Sequence, residues 1–238
     1  MMLQNKVAVV YGAGGAIGSA VARAFASEGA EVFVTGRNLA PVEAVAKEVV
    51  AAGGSAEAAE VDALDEQAVD KHLQSVIDKA GRVDISFNAV GIPGTKILGV
   101  PLVDLDVEQF SLPIATYTRS YFLTARLAAR RMVPRRSGMI MTVTAVPSRA
   151  GIPLVGGFAP AQSAGMPETG TIKEVFGIHA KAWGLSWEQF HEMIASKDHR
   201  RRLPTLAELA NVAVLMASDA ASAMTGTVVN LSMGMLDD

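Results

Sequence analysis

A short run of β-branched residues near the N-terminus of this 238-residue chain ends in a glycine-rich turn. The segment is Val7-Ala8-Val9-Val10-Tyr11-Gly12-Ala13-Gly14-Gly15-Ala16-Ile17-Gly18, and helical spacing of apolar residues begins at Ile17. This order predicts a strand, a tight turn and a helix. Glycine permits unusual backbone angles and leaves no Cβ to keep a bound phosphate away, while the helix would direct its free N–H groups at that phosphate. A plain packing turn is the alternative that the glycines alone leave open.

Strands and helices alternate regularly after this turn. Further strands are predicted at residues 31–35, 56–61 and 83–87, and glycines at positions 29, 53 and 81 end the helices between them. Consecutive parallel strands need a crossover, and a right-handed crossover packs its helix on the sheet. The sequence therefore predicts an α/β fold, namely a Rossmann-type doubly wound parallel sheet in three α/β/α layers, as a single domain over residues 1–238.

The second half of the chain continues this pattern. We expect a long helix at about residues 116–132, a fifth strand at 139–144 and helices near 172–182 and 187–196. The last of these follows a capping box of Ser186 and Gln189, and a second capping box at Thr205 and Glu208 opens a helix to residue 218. A strand at 227–231 completes the prediction.

One helix and one strand are missing from the expected order. The stretch Gly165-Met166-Pro167-Glu168-Thr169-Gly170 ends any helix within two turns, where a parallel sheet needs a long crossover helix and a further strand. About 25–30 residues are therefore absent. Two explanations stay open: a disordered segment omitted from the sequence, with the join near Ala164–Gly165, or a true deletion that rearranges the sheet edge.

The composition excludes several classes of function. The chain has no cysteine, so it offers neither disulfides nor thiolate metal sites, which fits a reducing compartment. Its longest apolar stretch, residues 209–217, is too short to span a bilayer, so we expect a cytoplasmic protein with no membrane partner. A net charge of −3 gives no reason to expect a nucleic-acid partner. No metal is expected, because the histidines lack metal-ligand spacing: His72, His179, His191 and His199.

Ligands of doubly wound sheets bind beyond the carboxyl ends of the strands, so the residues after each strand are the candidates. The second strand is followed by Gly36-Arg37, and residues 34–38 contain no carboxylate that would bind a ribose 2′-OH. A guanidinium at this place can hold a 2′-phosphate, whereas an aspartate would repel it, so NADP is favoured over NAD. The alternative is an ordinary surface arginine in a turn.

Two stretches resemble motifs of the short-chain dehydrogenase/reductase family. The turn Gly12-x-x-x-Ala16-Ile17-Gly18 is similar to the family's T-G-x-x-x-G-I-G turn, with Tyr11 for Thr and Ala16 for the middle Gly. Asn88-Ala89-Val90-Gly91 is similar to the N-N-A-G segment, with Ala89 for the second Asn. The resemblance covers nearly the whole chain in order. It implies a dinucleotide site formed by Gly12, Gly14, Ala16, Ile17, Gly18, Arg37, Asp62, Asn88, Ala89 and Gly91.

The family also implies a role for Asp62 after the third strand. There it would meet the adenine amino group of the dinucleotide. An ordinary turn or N-cap role is the alternative.

The family's catalytic residues are a Tyr that passes the proton, a Lys four residues later, a Ser and an Asn. The positions that align with them hold Phe158, Gln162, Ala145 and Tyr117, in that order. A phenyl ring has no ionisable proton, and a neutral amide cannot lower a neighbouring pKa. Loss of a positioned proton donor typically costs roughly 10²–10⁴-fold in rate, so the resemblance implies standard carbonyl or alcohol chemistry that is weak or absent.

Three hypotheses follow for function. The first is an NADP-dependent oxidoreductase whose activity is weak or uses another proton donor. The nearby hydroxyls that could donate are those of Tyr117, Thr144 and Ser148, and ordinary packing is the alternative role for each. The second is a catalytically silent dinucleotide-binding protein, a pseudoenzyme that acts as a structural partner or sensor. The third, a hydrolase or lyase, lacks a nucleophile and base that could be named. The resemblance also implies a homo-oligomer, a dimer or tetramer, built partly on the long helix from Thr116.

Overall fold

The computed structural model describes residues 1–92, 98–144, 177–181, 183–196, 200–231 and 233. A first half of alternating strands and helices contains β1 (Val7–Tyr11), α1 (Ala16–Ser27), β2 (Glu31–Gly36), α2 (Leu39–Ala51), β3 (Ser55–Glu60), α3 (Glu66–Ala80) and β4 (Ile85–Asn88). The described part of the second half contains α4 (Val107–Met132), β5 (Met139–Thr142), α5 (Trp187–Ala195) and α6 (Leu206–Ala217). Residues 177–181 are also helical.

The five strands formed by the described residues belong to one parallel sheet, in the spatial order β3-β2-β1-β4-β5. The chain winds outward from β1 through β2 to β3, then returns to the other side of β1 for β4 and β5. The winding direction therefore switches between β1 and β4, where Tyr11 pairs with Asn88. The predicted doubly wound parallel sheet is confirmed.

Strand β1 is buried along its whole length and carries the core of the fold. Its successive side chains point to opposite faces of the sheet. Val9 and Tyr11 pack in a cluster with Leu73 of α3 and Leu127 of α4. On the other face the ring of Phe25 in α1 meets Phe87 of β4 edge-on, with centroids 6.0 Å apart. Burial of both faces explains why β1 is apolar throughout rather than alternating.

The chain divides into two compact units. The larger, here called the sheet unit, contains Met1–Gly91, Arg119–Val143 and Ala207–Gly226, and therefore all five strands. The second unit contains Ile92–Thr118, Thr144–Leu206 and Thr227–Asp238. In its described part, α5 begins at the predicted capping box of Ser186 and Gln189, and a small core forms around Phe190, on which the ring of His179 stacks.

Two predicted elements are corrected by the structure. The long helix begins at Val107 rather than near residue 116, because the Asp106 side chain accepts a hydrogen bond from the Gln109 N–H and caps the helix before Pro113. Residues 227–231 do not form the predicted strand, and Val228 is 84% exposed. A strand needs a hydrogen-bonded neighbour, and in the described part of the sheet β5 pairs with β4 alone.

Neither a membrane span nor a metal cluster is found in the described ranges. No helix there is long and apolar enough to cross a bilayer. No group of three or more histidine, cysteine or acidic side chains there is arranged to hold a metal ion. The proposed join at Ala164–Gly165 lies outside these ranges.

A buried carboxylate ties the start of the sheet to the loop before β5. Asp84 is 4% exposed and accepts hydrogen bonds from the Val7 N–H at 2.9 Å, from Arg82 at 2.7 Å and from Arg135 at 2.8 Å. Burial alone would raise the pKa of Asp84, but the two guanidinium groups and the N–H outweigh it and hold the pKa below its usual range. Asp84 therefore stays ionised at neutral pH, and its stabilising contribution is lost as the pH falls from the ordinary aspartate pKa of about 4 through the lowered pKa of the folded state.

We expect Asp84→Asn to lower the free energy of unfolding by about 2–4 kcal/mol at pH 7.5, because it leaves two arginines without their counter-charge. Urea denaturation measures this. The matched control is Asp219→Asn, since Asp219 pairs with Lys6 at 2.7 Å but is 88% exposed, and its loss should cost less than about 1 kcal/mol. Equal losses in the two variants would contradict the structural role given to Asp84.

Candidate dinucleotide-binding site

The glycine turn after β1 is required by two close backbone contacts. Gly12 has a φ of +73°, and a Cβ on it would lie 2.5 Å from the carbonyl oxygen of Ala89. A Cβ on Gly18 would lie 2.5 Å from the carbonyl oxygen of Gly12. Real Cβ atoms do not approach backbone so closely, so both positions need glycine. The turn is thereby held against the chain that leaves β4, at the switch point of the sheet.

The N-terminus of α1 is open toward solvent and uncapped by any side chain. Gly15 is the N-cap residue and supplies no side-chain hydrogen bond, and the first turn of α1 contains no acidic residue. Gly14 and Gly15 are exposed. The N–H groups of the first helical turn lack partners within the helix, and those of the half-buried Ala16 and Ile17 can therefore receive an anion from solvent.

The end of β2 lies directly beside this turn. The Ala13 N–H donates to the Thr35 carbonyl at 2.9 Å, and a Cβ on Gly14 would lie 2.8 Å from the Cβ of Pro41. Arg37 stands between these two contact points in the chain. Its side chain is exposed and makes no hydrogen bond or ion pair with any residue that the structure describes. A free cation consequently adjoins the anion-accepting turn.

Asp62 lies in the turn between β3 and α3. One of its oxygens, Oδ1, accepts a hydrogen bond from the Leu64 N–H at 2.9 Å, so this oxygen has a turn role. The N-cap of α3 is a different residue, Asp65, which accepts from the N–H groups of Gln67 and Ala68. Asp62 itself is exposed, and its second oxygen, Oδ2, has no partner among the described residues.

Asn88 at the end of β4 is completely buried, and its side chain makes hydrogen bonds within the protein. Its Nδ2 donates to Thr124 Oγ1 at 3.0 Å, and its Oδ1 accepts from the Val90 N–H at 2.9 Å. These bonds fix the backbone of Ala89 and Val90, which is the surface that Gly12 contacts. The arrangement makes Asn88 a support of the turn, while Gly91 beyond it is exposed.

Tyr117 lies on α4 in the second unit and is 2% exposed. Its hydroxyl oxygen accepts a hydrogen bond from the Ile92 N–H at 3.3 Å. Burial raises the pKa of Tyr117 above its ordinary value, against a smaller lowering by the Ile92 hydrogen bond. A phenol with a raised pKa is a poorer proton donor at neutral pH. Thr144, the second candidate hydroxyl, is exposed.

The other candidate catalytic positions lie outside the described residues: Ala145, Ser148, Phe158 and Gln162. Sequence reasoning also missed two residues of α4 that support the site, Thr124 and Arg119. Thr124 is buried on the same face of the helix as Leu127 and Ala128. A polar residue at a position where the helical spacing predicts an apolar one could have indicated a buried hydrogen bond. Arg119 is exposed, and nothing in its spacing distinguishes it from other surface arginines.

A doubly wound sheet with an open glycine turn at its switch point defines a protein of the nucleotide-binding Rossmann class. Comparison with known families makes the assignment more specific, because the family model for short chain dehydrogenases matches residues 6–167. The chain belongs to the short-chain dehydrogenase/reductase family, and it is of the oxidoreductase type that this family comprises.

Relatives with known names match over nearly their whole length. The 3-oxoacyl-[acyl-carrier-protein] reductase of Thermotoga maritima is 26% identical over 249 residues, covering 99% of this chain and 100% of that protein. An actinorhodin polyketide ketoreductase solved with NADPH superimposes with a TM-score of 0.87 at 21% identity, covering 97% of each chain. An NAD⁺-bound xylitol dehydrogenase superimposes with a TM-score of 0.86 at 21% identity, covering 95% of this chain and 97% of the other. Both solved structures share the fold.

Gly12→Ala should destabilise the protein by at least about 2 kcal/mol and abolish dinucleotide binding, because alanine is strained at this positive φ and its Cβ meets the Ala89 carbonyl. Gly15→Ala is the matched control. The added Cβ would lie 3.4 Å from the nearest atom, so the loss there should stay below about 1 kcal/mol. Thermal unfolding and NADPH fluorescence titration measure both effects; similar behaviour of the two variants would refute the proposed backbone contact.

Proposed function

We propose that this protein is an NADP-binding oxidoreductase of the short-chain type whose standard carbonyl or alcohol chemistry is weak or absent. The observation that carries the proposal is the placement of Arg37, an exposed and unpaired cation of the described sheet unit, beside an uncapped glycine turn. In this proposal the pyrophosphate binds the turn at Gly12, Gly14, Ala16, Ile17 and Gly18, and Arg37 binds the 2′-phosphate. Ala89 and Gly91 line the site from β4, with Asn88 behind them.

The preference for NADP over NAD rests on charge. A 2′-phosphate carries two negative charges that a free guanidinium can bind through paired hydrogen bonds, whereas a ribose 2′-OH favours a carboxylate. Residues 34–38 contain no carboxylate. When bound, the nicotinamide supplies or accepts a hydride. The chain's own residues would supply the binding energy, the orientation and the proton.

The low activity in this proposal rests on the proton donor. The chain contains three tyrosines, Tyr11, Tyr117 and Tyr121, and none is followed four residues later by a lysine. Burial raises the pKa of Tyr11 strongly against a smaller lowering by Arg131, and it also raises that of Tyr117. These two phenols therefore hold their protons more firmly than the family's lysine-assisted tyrosine would.

The second candidate function is a catalytically silent dinucleotide-binding protein that acts as a structural partner or sensor. The absence of any Tyr-x-x-x-Lys pair in the sequence favours it. Under either function we propose a cytoplasmic homo-oligomer, a dimer or tetramer, that uses α4. Leu112 and Phe122 of this helix are 51% and 57% exposed, and apolar side chains so exposed are typical of contact surfaces.

Arg37→Ala should weaken NADPH binding by about 10–100-fold and leave NADH binding unchanged, because only NADPH carries the phosphate that the guanidinium would hold. Fluorescence titration of both nucleotides measures the change. Arg130→Ala, which removes an exposed arginine with no partner in the described part of α4, is the matched control and should alter neither affinity. Equal weakening of NADPH and NADH by Arg37→Ala would contradict a 2′-phosphate contact.

A carbonyl substrate panel with NADPH tests activity. We expect little or no consumption by the natural chain, and at least about 10²-fold more by the double variant Phe158→Tyr/Gln162→Lys, which restores a proton donor and its adjacent cation. The single variants should remain inactive, since each restores one of two dependent groups. Robust turnover by the natural chain that Tyr117→Phe abolishes would instead identify Tyr117 as the donor and exclude a silent protein.

A further inference from the structure

The turn that carries Asp62 is held by a residue from a distant part of the chain. Arg119 of α4 donates a hydrogen bond from Nε to the Leu64 carbonyl oxygen at 2.8 Å, across a separation of 55 residues. The Leu64 N–H in turn donates to Asp62 Oδ1 at 2.9 Å. Both the N–H and the C=O of Leu64 are therefore hydrogen-bonded, the N–H to Asp62 and the C=O to Arg119.

The same turn is fixed on its other side to the end of β2. The Val61 N–H donates to the Gly36 carbonyl at 2.9 Å, which joins the residue before Asp62 to the residue before Arg37. Val61 and Ala63 are buried in the core cluster of the sheet unit, so the side chains flanking Asp62 cannot move outward. The peptide between Leu64 and Asp65 is held at both of its polar atoms, because the Asp65 N–H donates to the Asp62 carbonyl at 3.0 Å and Arg119 donates to the Leu64 carbonyl.

The hydrogen bond to Leu64 fixes the orientation of the Asp62 carboxylate. Oδ1 is committed to Leu64, so Oδ2 is left to accept a hydrogen bond from a ligand. An adenosine whose 2′-phosphate binds Arg37 must place its base a few ångströms away, and the Gly36–Val61 contact puts the Asp62 turn next to that residue. An adenine amino group is a hydrogen-bond donor that suits a carboxylate oxygen.

We propose that Arg119 is a positioning residue for adenine recognition. It acts through the Leu64 carbonyl and fixes the turn in which Asp62 accepts the adenine amino group. Arg119 itself does not touch the base. This inference rests on the proposed dinucleotide site and adds to it a residue on α4 that supports base selectivity by positioning Asp62.

The test compares NADPH with deamino-NADPH, in which hypoxanthine replaces adenine and the amino group is lost. Dissociation constants of both nucleotides are measured by fluorescence titration for the natural chain and for Arg119→Ala, Arg119→Lys, Asp62→Ala and the double variant Arg119→Ala/Asp62→Ala. The ratio of the two constants reports base recognition, and a general loss of structure would not change it selectively. Arg130→Ala on the same helix is the control for removal of an exposed charge.

The natural chain should prefer NADPH by about tenfold, as expected for one hydrogen bond to a charged group. Asp62→Ala should reduce the ratio to about one, and Arg119→Ala should reduce it to about two or three. The double variant should resemble Asp62→Ala, because Arg119 acts through that turn. Arg119→Lys should keep most of the preference, since its ammonium can still donate to the Leu64 carbonyl.

The possible failures are distinguishable. A natural chain that does not bind NADPH refutes the proposed function and the inference with it. Binding without preference for adenine refutes the Asp62 contact, and hence the positioning role, but leaves the cofactor in place. A preference that Asp62→Ala abolishes and Arg119→Ala leaves at tenfold refutes the role of Arg119 alone.

Discussion

The close approach of two backbones, at Gly12 after β1 and Ala89 after β4, is the constraint on which the site depends. These two strands are neighbours in the sheet, and the winding direction reverses between them. A side chain at Gly12 would force the strand ends apart. Because Gly18 approaches the same turn equally closely, the start of α1 is held at one fixed place over the sheet edge. An anion site made of backbone N–H groups requires such a fixed helix end.

Within the sheet unit, helix α4 makes hydrogen bonds to residues at or after the carboxyl ends of several strands. Thr124 binds Asn88 at the end of β4, Tyr121 donates its hydroxyl to the Val143 carbonyl at 2.8 Å, and Arg119 holds the turn after β3. Three loops that follow three different strands are thereby tied to one helix. A rigid element that reaches several loops keeps their relative positions, and a ligand that touches all of them then binds a preformed surface.

Binding of a dinucleotide and transfer of a proton depend on different atoms. In the proposed site the first uses backbone N–H groups, the Arg37 guanidinium and the shape of the glycine turn, which belong to the sheet unit. The second uses ionisable side chains with tuned pKa values, and the sequence resemblance predicts Phe158 and Gln162 at the positions of two of them. Since the two sets of atoms lie in separate parts of the chain, substitution in one leaves the other intact. The proposed combination of retained binding and reduced chemistry follows from that separation.

The alternation of strands and helices, the glycine turn and the position of Arg37 at the end of β2 could all be predicted from local sequence, because each depends on residues close together in the chain. The exclusion of residues 227–231 from the sheet could not be predicted in this way, since a strand requires a hydrogen-bonded partner and no local pattern shows whether that partner is present. The same holds for the support of Asn88 by Thr124 and of Leu64 by Arg119, which join residues 36 and 55 positions apart. Hydrogen bonds of this kind form only when distant segments pack together, so periodicity along the chain does not predict them.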